Sequence, residues 1–526
     1  MIRNPVLPGF HPDPSILRVG ADYYLATSTF EWYPGVRLHH SRDLVHWRPL
    51  GGVLDERRLL DLSGVPDSGG VWAPDLTYHD GLFHLVYGVM DNYAHGVKDI
   101  TNHLVTAPTV EGPWSDPVRL PGRGFDASLF HTAEGSWLLN MVFDSRPGKG
   151  FAGIEIRPLT GGEPRALLAD RGLTEGPHLY RVGDRHYLVV AEGGTGYEHG
   201  ITVLRSRDLF GPYEADPAGP MLTSRHDPSL ALQKAGHGCL VETQAGEWYV
   251  AHLAARPYTP RGRCVLGRET ALQRVEWVDG WPRVAGGVPA VEVPAPALPP
   301  HPWPAAAAGW DPPDQPPGAP PRGASAVGPA RRGPSGARPV RHPDWSTLRR
   351  PASSDWLGVS GDRLTVAGGQ SPHGRRAPSL FARRVTASRC SLEARVTFEP
   401  GGVHQSAGLV AYYNALNWHY LALTTDGLVL TTSDRGVRTV HLTEPCPSRT
   451  VLAVTFDGPV VRFSRDGRDL PAELDATILS DEYADEIVDG RLRTFGFTGA
   501  FAGLWVQDLA GEGCSAVFDR TRYRED

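Results

Sequence analysis

The chain has 526 residues and a formal net charge of −7 at neutral pH, a length that exceeds one ordinary core and indicates two or three domains. No run of Lys or Arg is interleaved with aromatic residues, which argues against a nucleic-acid partner. The five cysteines are widely spaced and form no CxxC pair, so they fit neither a disulfide framework nor a zinc site.

The N-terminal stretch MIRNPVLPGFHPDP has no apolar core of the kind that secretory signals carry, and no window approaches eighteen consecutive apolar residues. We therefore expect a cytoplasmic protein with no membrane contact. Within this stretch Asp13 lies between Pro12 and Pro14, and proline favours an extended conformation in the residue before it. The pattern predicts either a tight turn into a strand or a carboxylate held in a fixed direction.

An internal repeat runs through residues 1–287. Five segments each read as a short apolar strand, a turn rich in Gly, Asp or Glu, and a second strand with aromatic or aliphatic residues. The segments are DPSILRVGADYYLA, APDLTYHDGLFHLV, DASLFHTAEGSWLL, EGPHLYRVGDRHYLV and HGCLVETQAGEWYVA. They begin 60, 53, 49 and 62 residues apart, with no long amphipathic helix between them. This spacing predicts a five-bladed β-propeller.

The repeat gives each blade one equivalent position. The innermost strands of a propeller surround its axis, so equivalent positions converge there. These positions hold Asp13, Ala73, Asp126, Glu175 and His237. Three carboxylates and an imidazole are therefore expected to meet, with room beside the small alanine. Such acids shift one another's pKa values, which is costly unless it serves a function. The structural alternative is a set of acids satisfied by strand-end amides or a bound ion.

Three acids supply the groups that cleavage of a glycosidic bond requires. One carboxylic acid protonates the leaving oxygen, and a carboxylate on the opposite face of the sugar acts as base or nucleophile. A third acid can position the proton donor and keep its pKa high. Because Glu extends one methylene further than Asp, Glu175 is the predicted acid.

Composition changes abruptly over residues 288–344, which are dense in Pro, Ala and Gly. Such a segment buries too little apolar surface to offset the entropy of ordering it, so we predict a partly disordered linker. Alternation returns over residues 345–526, where SLEARVTFEP places four apolar residues on one face and GLVAYYNALNWHYLALTTDGLVLTTSDRG reads as three strands. Short strands without helices predict a β-sandwich, and hence an all-β chain of two domains.

A family resemblance rests on seven motifs taken in order: NPVLPGFHPDPS with YYLATSTFEWYPGV, GVWAPDL, GFDASLF, TEGPHLY, AEGGTGYEHG and VLGRETALQ. Together they resemble family 43 glycoside hydrolases, specifically the two-domain β-xylosidases. AGLVAYYN-x-x-NW and FTGAFAGLWVQD are similar to the lectin-like sandwich of the same enzymes. The resemblance implies an inverting mechanism with Asp13 as general base, Glu175 as general acid and Asp126 tuning and orienting that acid. Inversion implies about 6.5–9.5 Å between the base and acid carboxyl groups.

The resemblance also implies a substrate pocket. Phe30 and Trp72 match residues whose rings shape its walls, and Arg268 matches a guanidinium that hydrogen-bonds sugar hydroxyls, a role that suits its fixed fork of donors. Phe143 stands where similar enzymes usually have tryptophan, so one wall departs from the family pattern. Phe501, in the TGAF motif, is expected to close the pocket from the second domain. The predicted substrate-binding residues are Phe30, Trp72, Ala73, Phe143, Arg268 and Phe501.

His237 raises the question of a metal. In some relatives a histidine at this position joins water molecules around a central divalent cation, usually calcium, and in others no metal is present. A lone histidine without paired oxygen ligands is a weak signal for calcium. We expect no required cofactor, with calcium near the propeller axis as the alternative. The resemblance further implies a homo-oligomer, either a dimer or a tetramer.

A pocket closed on one side admits only chain ends. The sequence therefore predicts exo-acting, inverting release of xylose from the non-reducing ends of β-1,4-xylo-oligosaccharides. An α-L-arabinofuranosidase, or an enzyme with both activities, is the near alternative because the two sugars present similar hydroxyl arrangements. A sugar-binding propeller without catalysis is the third reading, and the presence of all three acids argues against it.

Overall fold

The computed structural model of the chain describes residues 1–169, 171–304, 343–488 and 491–525, and only the backbone at residues 95, 486–488 and 491–493. The N-terminal part forms five antiparallel sheets arranged as a five-bladed β-propeller. The C-terminal part forms a sandwich of two larger sheets. The predicted all-β fold is confirmed in both domains.

Each blade contains four strands in chain order from the axis outward. Blade one contains Ser15–Val19, Asp22–Thr27, Gly35–Ser41 and Arg48–Leu54. Blade two contains Asp75–His79, Leu82–Asn92, Asp99–Ala107 and Val118–Leu120, with Gly70–Val71 also paired to its second strand. Blade three contains Ser128–Thr132, Gly135–Phe143, Phe151–Pro158 and Arg165–Leu168. Blade four contains Thr174–Val182, Arg185–Glu192, Gly200–Ser206 and Glu214–Ala215, with Leu222–Thr223 added to its third strand. Blade five contains Gln233–Glu242, Trp248–Ala255, Glu269–Val278 and Trp281–Val284.

The five repeated segments each form the first hairpin of a blade. In blade three, for example, Ser128 pairs with Leu139 and Thr132 with Gly135 across a tight turn. Alternate residues of these strands are apolar and pack between neighbouring blades, which explains why the repeat is visible in the sequence. The predicted five-bladed architecture is confirmed, and with it the convergence of the innermost strands.

The first part of the predicted linker lies along the propeller. Glu292–Val293 pairs with Ile2–Arg3 at the N-terminus. Further on, the Trp303 indole donates a hydrogen bond to the His46 carbonyl oxygen at 3.1 Å, and the Arg48 guanidinium lies 4.0 Å from the Trp303 ring centroid. Residues 288–304 therefore follow the propeller surface, and residues 305–342 of the predicted linker lie outside the described residues.

The sandwich packs two antiparallel sheets face to face. One sheet contains, in spatial order, Val437–Glu444, Gly427–Asp434, Trp418–Thr424, Gln405–Tyr412, Phe501–Asp508, Ser379–Arg384, Trp345–Leu348 and Trp32–Tyr33. The other contains Leu357–Ser360, Arg363–Ala367, Ser515–Glu525, Arg389–Thr397, Arg449–Asp457, Val460–Arg465 and Arg468–Asp475. A two-stranded sheet pairs Glu486–Val488 with Arg491–Thr494. The short helices are Ala94–Gly96, Ala285–Gly287, Ala476–Leu479 and Asp481–Ala484.

The two domains share a sheet and a core. Trp32–Tyr33, a short strand of the propeller chain, pairs with Trp345–Leu348 and becomes the edge of the larger sandwich sheet. The Trp32 ring stacks on Phe501 with centroids 3.9 Å apart, inside a hydrophobic cluster drawn from both domains. The sandwich is therefore fixed against one face of the propeller. Among the described residues, no helix has the length and apolar character needed to cross a membrane.

Candidate active site

The three predicted acids lie buried at the propeller axis. Asp13, Asp126 and Glu175 are 5%, 9% and 8% exposed. One Asp126 carboxylate oxygen accepts the backbone N–H of Gly176 at 3.1 Å, so it fixes the peptide that directly follows Glu175. The two Asp13 oxygens accept hydrogen bonds from Arg268 at 3.1 Å and from the Ser28 hydroxyl at 2.7 Å. The structure thus brings the acids close enough to influence one another and fixes the orientation of Asp13 and Asp126.

The backbone at these positions adopts the left-handed conformation. The φ angles are 53° at Asp13, 54° at Asp126, 56° at Gly176 and 44° at His237. Asp13 is therefore not extended, although the flanking prolines predicted an extended residue. A short polar side chain tolerates this region better than most, and such strain clusters at sites of function. The same conformation therefore occurs at the equivalent position of three blades, and in the fourth it occurs at the residue directly after Glu175.

Burial controls the protonation of these acids. It raises the pKa of Glu175 to about 7, with the charge of Asp13 adding to the effect and Lys98 and Arg268 opposing it. Burial also raises the pKa of Asp126 well above its ordinary value, and the nearby charges of Glu175 and Asp13 raise it further. Neighbouring acids of this kind bind protons as a group, so the site holds a protonated carboxyl group close to neutral pH.

Lys98 is a site residue that the sequence analysis missed. Burial lowers the pKa of its ammonium group to about 8, while Glu175 and Asp126 act to raise it. Its Nζ atom lies 4.7–5.1 Å from four ring centroids: Trp72, Phe125, Phe143 and Phe495. One signal was available, because the chain has only three lysines among 52 basic residues.

Phe30 and Trp72 form adjoining walls next to the acids. Phe30 is 2% exposed and exchanges backbone hydrogen bonds with Val71, so the two rings are set side by side, 6.3 Å apart. The Arg268 guanidinium lies 5.3 Å from the Phe30 ring centroid. Ala73 is buried at the equivalent position of blade two. Phe30, Trp72 and Arg268 therefore line one region with Asp13.

Phe143 lies at the margin of this region. Its ring is 5.8 Å from Phe151 and 6.5 Å from Phe125, and it forms one side of the Lys98 cage. A cavity of about 860 Å³ opens here and extends over blade three, with Lys98, Phe143 and Arg146 among its lining residues. Phe143 therefore borders a space larger than a single sugar ring, next to Lys98.

The second domain reaches the site through Phe495 and Phe497, and not through Phe501 as expected. Phe501 is fully buried and begins a strand of the sandwich sheet, where it stacks on Trp32 behind the pocket. The loop that precedes this strand extends over the propeller. The Phe497 ring lies 5.8 Å from both Phe30 and Trp72. The prediction of a wall from the second domain named the right motif but the wrong phenylalanine.

His237 lies beside Asp13, with 3.8 Å between its Nδ1 atom and a carboxylate oxygen. Burial lowers the pKa of His237 to about 4, so the imidazole is neutral at physiological pH. Calcium takes six to eight oxygen ligands. Within the described residues, no group of three or more His, Cys, Asp or Glu side chains is arranged to hold a metal ion. The cation of the similar enzymes is held by the histidine together with water molecules, so calcium near the propeller axis stays a prediction.

Buried acids at the axis of a five-bladed propeller, with aromatic rings beside them, are the groups that a glycoside hydrolase requires. The family model for "Glycosyl hydrolases family 43" matches residues 2–282, and the model for "Beta xylosidase C-terminal Concanavalin A-like domain" matches residues 338–524. The chain belongs to family 43 of the glycosyl hydrolases.

Similarity to named members of the family extends over both domains. "Xylosidase/arabinosidase 43B" of Humicola insolens is 41% identical over 99% of this chain and 97% of its own length. "Xylan 1,3-beta-xylosidase" of Vibrio sp. is 39% identical over 100% of this chain and 99% of its own. The crystal structure of xylan beta-1,4-xylosidase from Bacillus halodurans C-125 superposes with a TM-score of 0.90 at 41% identity, covering 100% of both chains.

Proposed function

We propose that the protein is an exo-acting, inverting β-1,4-xylosidase that releases xylose from the non-reducing ends of xylo-oligosaccharides. The observation that carries this proposal is the burial of Asp13, Asp126 and Glu175 in one aromatic pocket that the second domain closes. The similarity to proteins named as xylosidases supports the choice of sugar.

Each acid has a distinct role in the proposed reaction. Glu175 protonates the glycosidic oxygen as the bond to the leaving sugar breaks, and Asp13 removes a proton from the water that attacks the opposite face of the ring. Asp126 holds the peptide after Glu175 through the Gly176 N–H, which orients the proton donor. Arg268 keeps the Asp13 carboxylate directed into the pocket. The reaction needs no group beyond water and these side chains.

The proton donor predicts how activity depends on pH. Glu175 acts in its protonated form, and burial raises its pKa to about 7. The active form is therefore abundant below neutral pH and is lost as the pH rises through about 7. The basic limb of the kcat/KM profile should accordingly fall near neutrality.

The closed side of the pocket favours exo action. Phe495 and Phe497 approach the propeller rings from the second domain, so a xylan chain cannot run through the site in both directions. A chain end enters, and a single sugar is removed. The remaining subsites lie in the cavity beyond Phe143.

A second activity, α-L-arabinofuranosidase, is supported by the Humicola relative, whose name includes both xylosidase and arabinosidase. The linkage is a separate question, because the Vibrio relative is named for the 1,3 linkage. Hydrolysis of 1,4- and 1,3-linked xylobiose, and of 4-nitrophenyl α-L-arabinofuranoside, ranks these possibilities by kcat/KM.

The experiment that tests the proposal compares xylobiose with 4-nitrophenyl β-xyloside in the wild type and in Glu175→Gln. A sugar leaving group needs protonation, whereas nitrophenolate leaves readily without it. We expect kcat on xylobiose to fall by about 10²- to 10⁴-fold, and kcat on the nitrophenyl substrate to fall much less. Glu134→Gln, at an exposed acid of blade three, is the matched control and should leave both rates unchanged. Equal losses on both substrates would remove Glu175 from the role of proton donor.

A further inference from the structure

Ser68 is a buried residue whose three polar groups are all engaged. It is 1% exposed and has a φ of 57°, in the loop that leads to Trp72. Its N–H donates to a Glu31 carboxylate oxygen at 3.0 Å, and its carbonyl oxygen accepts the Trp72 indole N–H at 3.0 Å. Its hydroxyl oxygen accepts the backbone N–H of Phe497 at 3.1 Å. A strained non-glycine backbone of this kind persists where its surroundings determine it completely.

The first consequence concerns Trp72. Its indole has one N–H donor, and the Ser68 carbonyl is the acceptor that fixes the rotation of the ring. The ring in this orientation lies edge-on to Phe125 at 5.1 Å and forms part of the Lys98 cage. Ser68 therefore fixes the position of the Trp72 ring, which forms one wall of the pocket.

The second consequence concerns the general base. Arg268 donates to the Phe497 carbonyl oxygen from Nε at 3.3 Å and from Nη2 at 2.9 Å, and to Asp13 from Nη1 at 3.1 Å. The guanidinium is planar and rigid, so the position of that carbonyl sets the direction of the arm that reaches Asp13. The Ser68 hydroxyl accepts the N–H of the same residue, Phe497. This hydrogen bond fixes the Phe497 backbone, whose carbonyl oxygen accepts from Arg268.

The Ser68 loop is itself held by buried charges from both domains. Arg349, which is fully buried, donates to the Val65 carbonyl at 2.8 Å and to Asp67 at 2.7 Å. The Arg349 N–H donates to the Glu31 carbonyl oxygen at 2.8 Å. The loop is thus rigid before any substrate binds, which is the property that a positioning residue needs.

We propose that Ser68 is a positioning residue for the reaction, setting Trp72 through its carbonyl and the Phe497–Arg268–Asp13 contacts through its hydroxyl. It touches neither the sugar nor the reacting atoms. This inference rests on the proposed function, since Asp13 must act as a base for its direction to matter. Ser68 also links the second domain to catalysis, because Phe497 belongs to the sandwich.

The test uses the pair Ser68→Ala and Ser68→Gly in the full-length protein. Both remove the hydroxyl and leave the Phe497 N–H without its acceptor, but only glycine relieves the backbone strain at positive φ. We expect kcat on xylobiose to fall by about 10- to 100-fold in both variants. The acid limb of the kcat/KM profile should move to higher pH in both, because a displaced Arg268 stabilises the ionised base less.

Ser346→Ala is the matched control. Ser346 is also a buried serine at the domain interface, and its hydroxyl accepts hydrogen bonds from Arg37 and Arg384 in place of the Phe497 N–H that Ser68 accepts. This variant should lower thermal stability without moving the pH profile. A glycine variant with wild-type kcat and pH profile beside an impaired alanine variant would overturn the proposal, since backbone strain alone would then explain the effect. Unchanged kcat and pH profile in both Ser68 variants would overturn it as well.

Failure of the proposed function gives a different result. If the wild type hydrolyses neither xylosides nor arabinofuranosides, the assigned activity is wrong whatever Ser68 does. If the wild type is active and the Ser68 variants match it, only the positioning role is wrong. Equilibrium binding of xylose, measured by calorimetry, adds a readout without turnover, and we expect weaker binding in both Ser68 variants because the Phe497 N–H loses its acceptor and the Phe497 ring is no longer held against Trp72.

Discussion

Replacing Lys98 with methionine tests the electrostatic design of the pocket. The ammonium group is buried. Burial raises the pKa of Glu175 to about 7, and the positive charge of Lys98 opposes this increase. Methionine occupies a similar volume and fits among the four rings that surround the lysine. The substitution therefore removes a charge with little change in packing.

The size of the effect follows from the position of the charge. An opposite charge close to a carboxyl group typically shifts its pKa by about 1–3 units. The Lys98 charge is shared between Glu175 and Asp126, so we expect a shift of about 1–2 units for the proton donor. Loss of the cation disfavours the ionised carboxylate, and the Glu175 pKa rises. The basic limb of kcat/KM should move from near 7 to about 8–9.

The assay is the kcat/KM profile on xylobiose from pH 5 to 10, because this ratio reports the ionisations of the free enzyme. Lys149→Met is the control: this lysine is exposed in a turn, and its loss changes the net charge equally without touching the site. The reasoning is refuted if the basic limb of Lys98→Met stays in place or moves to lower pH, or if Lys149→Met produces the same shift.

The remaining predictions concern the second domain. Phe497→Ala removes a ring 5.8 Å from two propeller rings, so we expect KM for xylobiose to rise several-fold and hydrolysis within longer chains to become detectable by chromatography of xylohexaose products. Arg349→Met leaves the buried Asp67 carboxylate without its partner at 2.7 Å, which should lower the unfolding free energy by about 3–5 kcal/mol in a urea titration. The control is Arg146→Met, which breaks an exposed ion pair with Asp144 and should change the unfolding free energy little. Equal losses of unfolding free energy in the two variants would contradict the argument.

The propeller could be predicted because each blade begins with contacts between residues that are close in the sequence. Each blade begins with a hairpin whose strands are close in sequence, so the alternation and the turn recur as a visible unit. Equivalent positions in a closed repeat must converge, and this alone brought Asp13, Asp126 and Glu175 together before the family motifs assigned their roles. The sandwich strands were predictable for the same reason, since each of the three strands within residues 405–434 follows its neighbour through a short turn.

The missed residues depend on contacts between distant parts of the chain. Arg268 bonds to Phe497, which is 229 positions away, and no local pattern records that pairing. Phe501 was expected in the wall because the family resemblance implies that a loop near its motif covers the pocket, but strand geometry fixes its side chain in the domain interface against Trp32. The part that reaches the pocket is the loop before the strand. Lys98 was missed because a lysine beside a short helix ordinarily faces solvent.

The left-handed backbone conformation near the axis could not be predicted from the sequence either. Two prolines around Asp13 predicted an extended residue, and the structure has a φ of 53°. The same conformation at Asp126 and His237 shows that blade geometry, and not proline, determines the turn.

The measurement that tests the mechanism most directly is a proton-NMR time course of 4-nitrophenyl β-xyloside hydrolysis, recorded faster than mutarotation, because its only sugar product is the xylose whose anomeric centre has reacted. Attack of water on the face opposite the leaving sugar inverts the anomeric centre. The β-linked substrate should therefore yield α-xylose as the first product, with the β-anomer appearing only as the sugar equilibrates. β-Xylose as the first product would require a covalent intermediate on a carboxylate and would contradict the assignment of Asp13 as a general base.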